Sequence, residues 1–479
     1  MLQQGLTVAD VCYFIGEEQP SRSYLRRDLP VELPAGYAYD CINRDALLTR
    51  AKAKSGRLVL PDGISYRLLV LPPSERMTPE VAKKIGELAK AGVPVIGSLP
   101  TRSISLTNYP KCDENVREIV SKSWKSVRAN VKTQEIFTEL GLVSDLQFSP
   151  ARMTSVYNEK MQYFSPPFAW NHRKTKDADI YFLSNQQRRP RNVDVKFRVT
   201  GKVPELWDAE TGKIRDAGVW RVENGRTIVP VSFAPAGSVF VVFRRKTTRH
   251  LDPVAHVLPI VAKALPNATP SLLIEGDVAW ALRRGSWQLD RQSGKTQYIS
   301  VDNLPMPQAT SGPWTVSFPP ECGAPKRIEM SELKSLSEHK DAGVKYFSGT
   351  ATYSSTFKLS KIRKGDRLFL DLGSVYNLAE VTVNGKNLGV FWKPPFVVEV
   401  TGVVKPGKNT LKIDVTNTWL NRLIGDAGLP VKDRTTWLLF DDVYPSAKTP
   451  LESSGLIGPV MLKTARAIKI VVLTEKEIT

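Results

Sequence analysis

Two pairs of adjacent carboxylates are the most conspicuous candidates for chemistry in this chain: Glu17-Glu18 in "YFIGEEQP" and Asp441-Asp442 in "LFDDVYP". Paired carboxyl groups can cleave a glycosidic bond when they face each other at about 5 to 5.5 Å for retention or about 6.5 to 9.5 Å for inversion. Neighbours on an extended strand point to opposite faces, so neither pair converges on one substrate by itself. Glu17 and Glu18 follow an apparent strand, where ligands meet α/β sheets, which makes them candidate cleft contacts. The competing reading is a solvated loop, since charged residues are mostly exposed. Asp441-Asp442 offers oxygens to a calcium ion, but a lone acid pair is usually solvated. No catalytic residue and no metal ligand are assigned.

Other reactive types offer less. His172, His250, His256 and His339 lack metal-ligand spacing. Cys12, Cys41, Cys112 and Cys322 are far apart, without zinc or redox spacing. Cys41 in "YDCINRD" precedes a helical pattern, yet no glycine-flanked elbow surrounds it, and a small buried hydrophobe is the expected role. The chain has no G-x-G-x-x-G, no phosphate-binding P-loop and no G-x-S-x-G.

Aromatic residues raise a different chemistry. In "VNGKNLGVFWKPPF", residues 383–396, Trp392 follows a tight turn, with Asn377, Asn384 and Asn387 nearby. Flat rings suit the C–H faces of sugars and side-chain amides suit their hydroxyls; Trp419 and Trp437 are further candidates. Core packing competes with this reading. The continuous apolar stretch from Phe391 to Phe396 predicts burial, with Trp392 as a core ring.

The elements that must position these residues follow from periodicity. Residues 1–150 alternate strand-like and helix-like runs, "VADVCYFIG", "NRDALLTRAKA", "YRLLVLPP", "TPEVAKKIGELAKAG" and "VPVIG", which predicts a parallel α/β sheet. Thr78 as N-cap, Pro79 at the first helical position and Gly92 as stop bound one helix, and two more begin near Asp113 and Thr133. From 178 to 304 short alternating runs with turns at 210–212 and at Asn224-Gly225 predict a β-sandwich. The proline-rich "DNLPMPQATSGPW" closes that domain. Residues 305–479 form a last sandwich, in which Asn384-Gly385 makes a two-residue hairpin. Residues 151–177 are a linker in this scheme.

With 479 residues, 42% of them hydrophobic and 24% charged, the composition is globular, and no apolar run reaches the length of a membrane helix. "MLQQG" has no basic or apolar signal core, so nothing in it directs export and localisation stays open. The formal charge of +19 is concentrated in residues 151–265, with 20 basic and 10 acidic residues. There "RRPR" and "RRKTTR" lack interleaved aromatic residues, which favours a solvated basic face over specific nucleic-acid binding.

The runs "YFSGTATYSSTF" (346–357) and "GDRLFLDLGSVYNLAEVTVNGKNLGVFWKPPFVVEVTGVVKPGKNTLKIDVTN" (365–417) resemble the sugar-binding, galactose-binding-like jelly-roll domain of glycoside hydrolase family 2. The wider set "VADVCYFIGEEQP", "LPAGYAYDCINRDALL", "RLVLPDGISYRLLVLPP", "PELWDAETGKI" and "WLNRLIGD" resembles the C-terminal half of a family 106 α-L-rhamnosidase. The resemblance implies a multidomain α/β plus all-β fold, with a flavodoxin-like or amidotransferase-like α/β domain followed by two β-sandwiches. In such enzymes an upstream barrel carries the catalytic carboxylates and a calcium site, so none of those residues is transferred to this chain. The implied role is an accessory, non-catalytic portion of a polysaccharide-degrading enzyme of the periplasm or extracellular space, with the barrel or carbohydrate as partner. A free-standing carbohydrate-binding protein and a polyanion-binding protein are the alternatives.

Overall fold

The computed structural model describes residues 1–129, 131, 133–149, 156–158, 163–165, 167–248, 251–260, 271–310, 312–360, 362–439 and 445–470. They fall into two compact units: Met1–Ala255 with Arg291–Ser293, and His256–Asp290 with Gly294–Thr479. Strands far outnumber helices, and the α/β part is confined to the first unit.

In the first unit, Val11–Phe14, Tyr39–Ile42, Leu68–Val70 and Val95–Ile96 form a parallel sheet in the spatial order second, first, third, fourth. Arg128 adds a parallel bridge beyond Ile96. Val11–Phe14, Leu68–Val70 and Val95–Ile96 are apolar on both faces because both are covered, whereas the edge strand Tyr39–Ile42 carries Asp40. Cys12, Phe14, Leu69 and Val95 pack with helices α1 (Arg44–Thr49) and α2 (Pro79–Lys90) and with Trp124, just past α3 (Lys111–Ser123). Val11, Tyr13, Leu68, Val70 and Ile96 meet Ile136 and Phe137 of α4 (Thr133–Glu139) and the loop residues Leu33 and Tyr37. The expected helix at 79–90 is present, and Gly92 at φ +91° leaves it in a conformation favouring glycine. Thr78 is the N-cap residue, but its side chain makes no cap hydrogen bond.

The same unit contains a two-sheet sandwich. One sheet runs Leu6–Thr7, Phe168–Lys174, Asp179–Asn185, Ser238–Lys246, Lys202–Trp207, Ile214–Asp216. The other runs Arg221–Glu223, Arg226–Phe233, Arg191–Phe197, Leu146–Ser149. Tyr181, Leu183, Val195, Phe197, Val229, Val241 and Phe243 fill the space between them. Asn224 and Gly225, both at positive φ, make the predicted two-residue turn between Glu223 and Arg226.

In the second unit two antiparallel sheets enclose one core. The first orders Leu272–Glu275, Val278–Ala281, Met461–Lys469, Arg367–Asp371 and Val397–Glu399, with Gln308–Ala309 added against Met461–Lys469. The second orders Arg327–Met330, Trp314–Ser317, Thr350–Leu359, Gly407–Thr416, Leu378–Val383, Lys386–Phe391. Trp314, Tyr353, Phe357, Leu370, Val381 and Ile413 are among the side chains buried between the two. Asn384 (φ +50°) and Gly385 (φ +78°) make the expected hairpin turn, closing Val383 against Lys386.

Candidate functional site

Strand register sorts the candidate sugar contacts into two groups. Ala379 pairs with Phe391 and Leu378 pairs with Thr416. Trp392 therefore emerges beside the start of Leu378–Val383, and Asn377, whose N–H donates to the Thr416 carbonyl, lies at that same end. Trp419 follows three residues after Thr416. The turn residues Asn384 and Gly385 lie at the opposite end, about 20 Å away at about 3.3 Å per residue.

The first group presents rings and a polar group outward. Trp392 is 58% exposed, with the Lys393 ammonium 5.6 Å from its ring centre; Trp419, Tyr376 and Leu378 are exposed as well. Asn377 is exposed, and its side chain has no hydrogen-bond partner among the described residues. The expectation that Trp392 fills the core is corrected here. The apolar stretch splits, with Phe391 and Phe396 turned to the core while Trp392, Pro394 and Pro395 face outward. Trp392→Ala should accordingly change the unfolding free energy by about 1 kcal/mol or less, checked by denaturant titration.

The second group has structural employment. Asn384 donates to Val403 O at 3.0 Å and Asn409 Oδ1 at 2.8 Å, and accepts from Thr410 N–H at 2.9 Å. Asn387 donates to Glu380 at 2.5 Å and accepts from Gly389 N–H at 2.7 Å. Both amides brace the hairpin.

Trp437 is strongly exposed, and a device invisible to periodicity holds it. Helix α5 (Ala342–Lys345) precedes Tyr346, whose ring lies where a Cβ on Gly425 would be, within 2.6 Å, so α6 (Leu420–Ala427) can approach only as glycine at that point. Asp426 of α6 is 0% exposed. Its Oδ2 accepts from Thr435 N–H at 3.0 Å, Thr436 N–H at 2.7 Å and the Thr436 hydroxyl at 2.7 Å, while Arg422 Nη2 lies 3.0 Å from Oδ1. Asn421 clamps Glu452 by donating to its carbonyl and accepting from its N–H. Trp419 and Trp437 thus flank a helix anchored by buried polar groups.

In the first unit Glu17 and Glu18 follow the strand Val11–Phe14, beside the point where the parallel strand order reverses. They do not act as a pair. The Glu17 side chain is only 5% exposed, accepting from Thr78 N–H and the Thr78 hydroxyl, both at 2.8 Å, and from Arg44 Nε at 2.9 Å. Arg44 also bridges to Glu80. Glu18 meets Arg76 at 3.2 Å and the Ser74 hydroxyl. Glu17 thereby anchors the start of α2 and occupies the hydroxyl that would otherwise cap it.

A buried charge cluster in the first unit joins residues that local spacing does not connect. His172 Nδ1 lies 2.7 Å from Asp145 and Nε2 lies 3.4 Å from Asp179, all three buried, and the imidazole stacks on Tyr181 with centres 3.9 Å apart. Tyr181 donates to Asp145 at 2.9 Å; Arg198 lies 3.4 Å from Asp145 and 3.0 Å from Asp10. Burial opposes charge on His172, but its two carboxylate partners outweigh it and hold the imidazolium above its ordinary range. Burial likewise opposes ionisation of Asp145 and Asp179, yet His172 and the adjoining cations hold both carboxyls below theirs. Burial raises the Cys41 and Asp40 groups, so the thiol is kept protonated and is a poor nucleophile.

Among the described residues, no three His, Cys, Asp or Glu side chains are arranged to hold a metal. His250 and Asp441-Asp442 lie outside the described residues. No described helix is long and apolar enough to cross a membrane. The basic run at 244–249 is partly neutralised: Arg244 and Arg245 both pair with the buried Glu205, and Arg245 also pairs with Asp216.

Comparison with known proteins adds what this geometry leaves open. Residues 1–220 match the glycoside hydrolase family 106 model, described as alpha-L-rhamnosidase, and residues 335–431 match the glycosyl hydrolase 2 galactose-binding domain-like model. The solved rhamnosidase of Novosphingobium sp. PP1Y superposes with a TM-score of 0.74 at 31% identity, covering 96% of this chain and 39% of that one. A curated protein of Formosa agariphila named "Putative beta-glucuronidase" is 27% identical, with all of this chain and 56% of that protein covered. The chain thus spans little more than half of one relative and well under half of the other. Residues 1–220 are thus similar to family 106 α-L-rhamnosidases and residues 335–431 to the galactose-binding-like domain of family 2 glycosyl hydrolases.

Proposed function

We propose that this chain is the accessory, non-catalytic portion of an α-L-rhamnosidase-like glycoside hydrolase, working with a catalytic barrel. The observation that carries the reading is the sheet end in the second unit where Asn377, Trp392 and Trp419 emerge together with both rings exposed. An exposed indole can stack on the C–H face of a sugar, and the Asn377 amide, without a partner among the described residues, can donate to and accept from its hydroxyls. Trp437, on its own anchored loop, is a further contact of the same chemistry. The conspicuous acids among the described residues do not suit hydrolysis, because Glu17 and Glu18 are held by separate partners.

In the first unit the strand order second, first, third, fourth supports a flavodoxin-like reading. On that reading the Glu17 and Glu18 loop marks the crevice where a doubly wound sheet meets its ligands.

The purified chain is expected not to hydrolyse aryl α-L-rhamnosides, while binding rhamno-oligosaccharides with an affinity that falls about tenfold in Trp392→Ala, equivalent to about 1.4 kcal/mol. Isothermal titration and an aryl-glycoside assay check this. Turnover by the chain alone, abolished by replacing one of its own carboxylates, would overturn the accessory role; unchanged affinity in Trp392→Ala and Trp419→Ala would overturn the platform.

A further inference from the structure

The loop joining Asp179–Asn185 to Arg191–Phe197 brings two cations onto one neutral acceptor. Arg189 Nε donates to Gln187 Oε1 at 3.0 Å, Arg191 Nε donates to the same oxygen at 2.9 Å, and Arg191 Nη2 donates to it as well. An amide oxygen carries no charge to offset two guanidinium groups. Neither arginine has a carboxylate within ion-pair distance among the described residues, in contrast to Arg221, Arg244 and Arg245 of the same unit, each of which has one. Three guanidinium nitrogens, Nη1 and Nη2 of Arg189 and Nη1 of Arg191, have no acceptor among the described residues.

The loop that holds them is built rather than slack. Asn185, 1% exposed, donates to Arg189 O at 2.8 Å and Ala234 O at 3.0 Å and accepts from Gln187 N–H at 3.1 Å. Ala236 N–H donates to Gln187 O at 2.8 Å. Gln187 itself is 8% exposed, and its buried Nε2 has no hydrogen-bond partner among the described residues. Two like charges are therefore fixed side by side, one of them half-buried. Burial, and secondarily the charge of Arg189, lowers the affinity of the Arg191 guanidinium for its proton, the signature of an uncompensated cation.

We infer that Arg189 and Arg191, spaced by Gln187, form a binding site for an oxyanion presenting two or more oxygens, the chemistry shared by the carboxylate of an acidic saccharide and by free sulfate or phosphate. Guanidinium groups bind such anions through paired N–H donors, and a prearranged pair lowers the cost of ordering the side chains. The site lies in the first unit, and its existence does not depend on the tryptophan platform of the second.

The test is thermal unfolding of the full chain in sodium sulfate, sodium phosphate or trigalacturonate, each against sodium chloride at matched ionic strength. At least one of the three should raise the midpoint of the wild-type chain by about 2 to 4 °C above chloride. A rise with trigalacturonate alone identifies a saccharide carboxylate, and a rise with sulfate or phosphate alone identifies an inorganic anion. Arg189→Gln should remove the rise, and Arg188→Gln, on the same loop but outside the pair, should keep it.

Gln187→Glu guards against a variant that merely misfolds. It supplies the missing negative charge and gives up no hydrogen bond at Nε2, so its midpoint in chloride should increase while its response to the anion disappears. The inference is overturned if none of the three anions shifts the wild-type midpoint beyond chloride, if Arg189→Gln retains the full response, or if Gln187→Glu lowers the chloride midpoint and still responds.

Discussion

Asp426→Ala is expected to destabilise the second unit by about 3 to 5 kcal/mol. The carboxylate is fully buried and accepts from Thr435 and Thr436 on the segment leading to Trp437, while facing Arg422, which is itself 9% exposed. Truncation deletes three hydrogen bonds and leaves the Arg422 cation buried without its partner, and a buried charge stripped of compensation costs more than the pair contributes when intact. Asp426→Asn keeps an acceptor for the threonines but loses the charge, so it should fall between wild type and alanine. Denaturant unfolding of the three chains checks the order. A loss below about 1 kcal/mol for alanine would show that solvent reaches Arg422 and that the cluster does not anchor this loop. Intrinsic fluorescence should also change, since the segment before Trp437 loses its tether.

The second large effect concerns the first unit. Asp145→Ala should cost about 3 to 5 kcal/mol, because it removes the shared acceptor of His172 and Tyr181 and the neighbour of Arg198 in a site sealed from water. The same cluster fixes a pH dependence. His172 has a native value above its unfolded value of about 6.5, so its contribution to stability is complete below about pH 6.5 and is lost as pH rises through the elevated native value. Asp145 and Asp179 have depressed native values, so their contributions are complete above about pH 3.9 and are lost as pH falls through those native values. The groups facing the imidazole or its partners are Tyr181, Arg198, Lys174 and Lys202; the three cations favour the ionised carboxylates. Thermal midpoints between pH 5.5 and pH 9 should decline toward alkaline pH in wild type and less steeply in His172→Gln. Parallel profiles would mean that His172 does not titrate in this window.

Local order was readable where one residue type dictates a conformation. Asn384-Gly385 and Asn224-Gly225 demand positive φ and made their turns; Pro79 and Gly92 bounded α2. Alternation within the sandwich strands shows which side chains face the core. Trp392 escaped that logic because it lies just past the end of its strand, where the apolar run continues but the sheet no longer covers it. The ion clusters escaped for another reason. Asp145 and His172 are 27 residues apart, and Glu17 and Thr78 are 61 apart, so nothing in local spacing announces their meeting. The grouping of Asn377 with Trp392 and Trp419 likewise depends on register between strands, which a linear pattern does not specify.

Leu6 and Thr7 pair with Lys174 and Arg173, and Arg173 further ties Gln4 and Gly5 through their carbonyls. At about 5 to 20 residues per second of synthesis, the ribosome needs roughly ten to thirty seconds after making Leu6 to deliver its partner. The parallel sheet, complete by Ile96, can assemble well before that moment, but the first strand must wait outside it. Leu146–Ser149 waits as well, for Phe197 at the far end of its partner strand. A nascent chain halted near residue 150 would therefore hold two orphan strands with bare edges, a species suited to capture by a chaperone or by a second copy. The unit locks only when the sandwich arrives, so Leu6 and Thr7, made long before Arg173 and Lys174, are among its last residues to find their place.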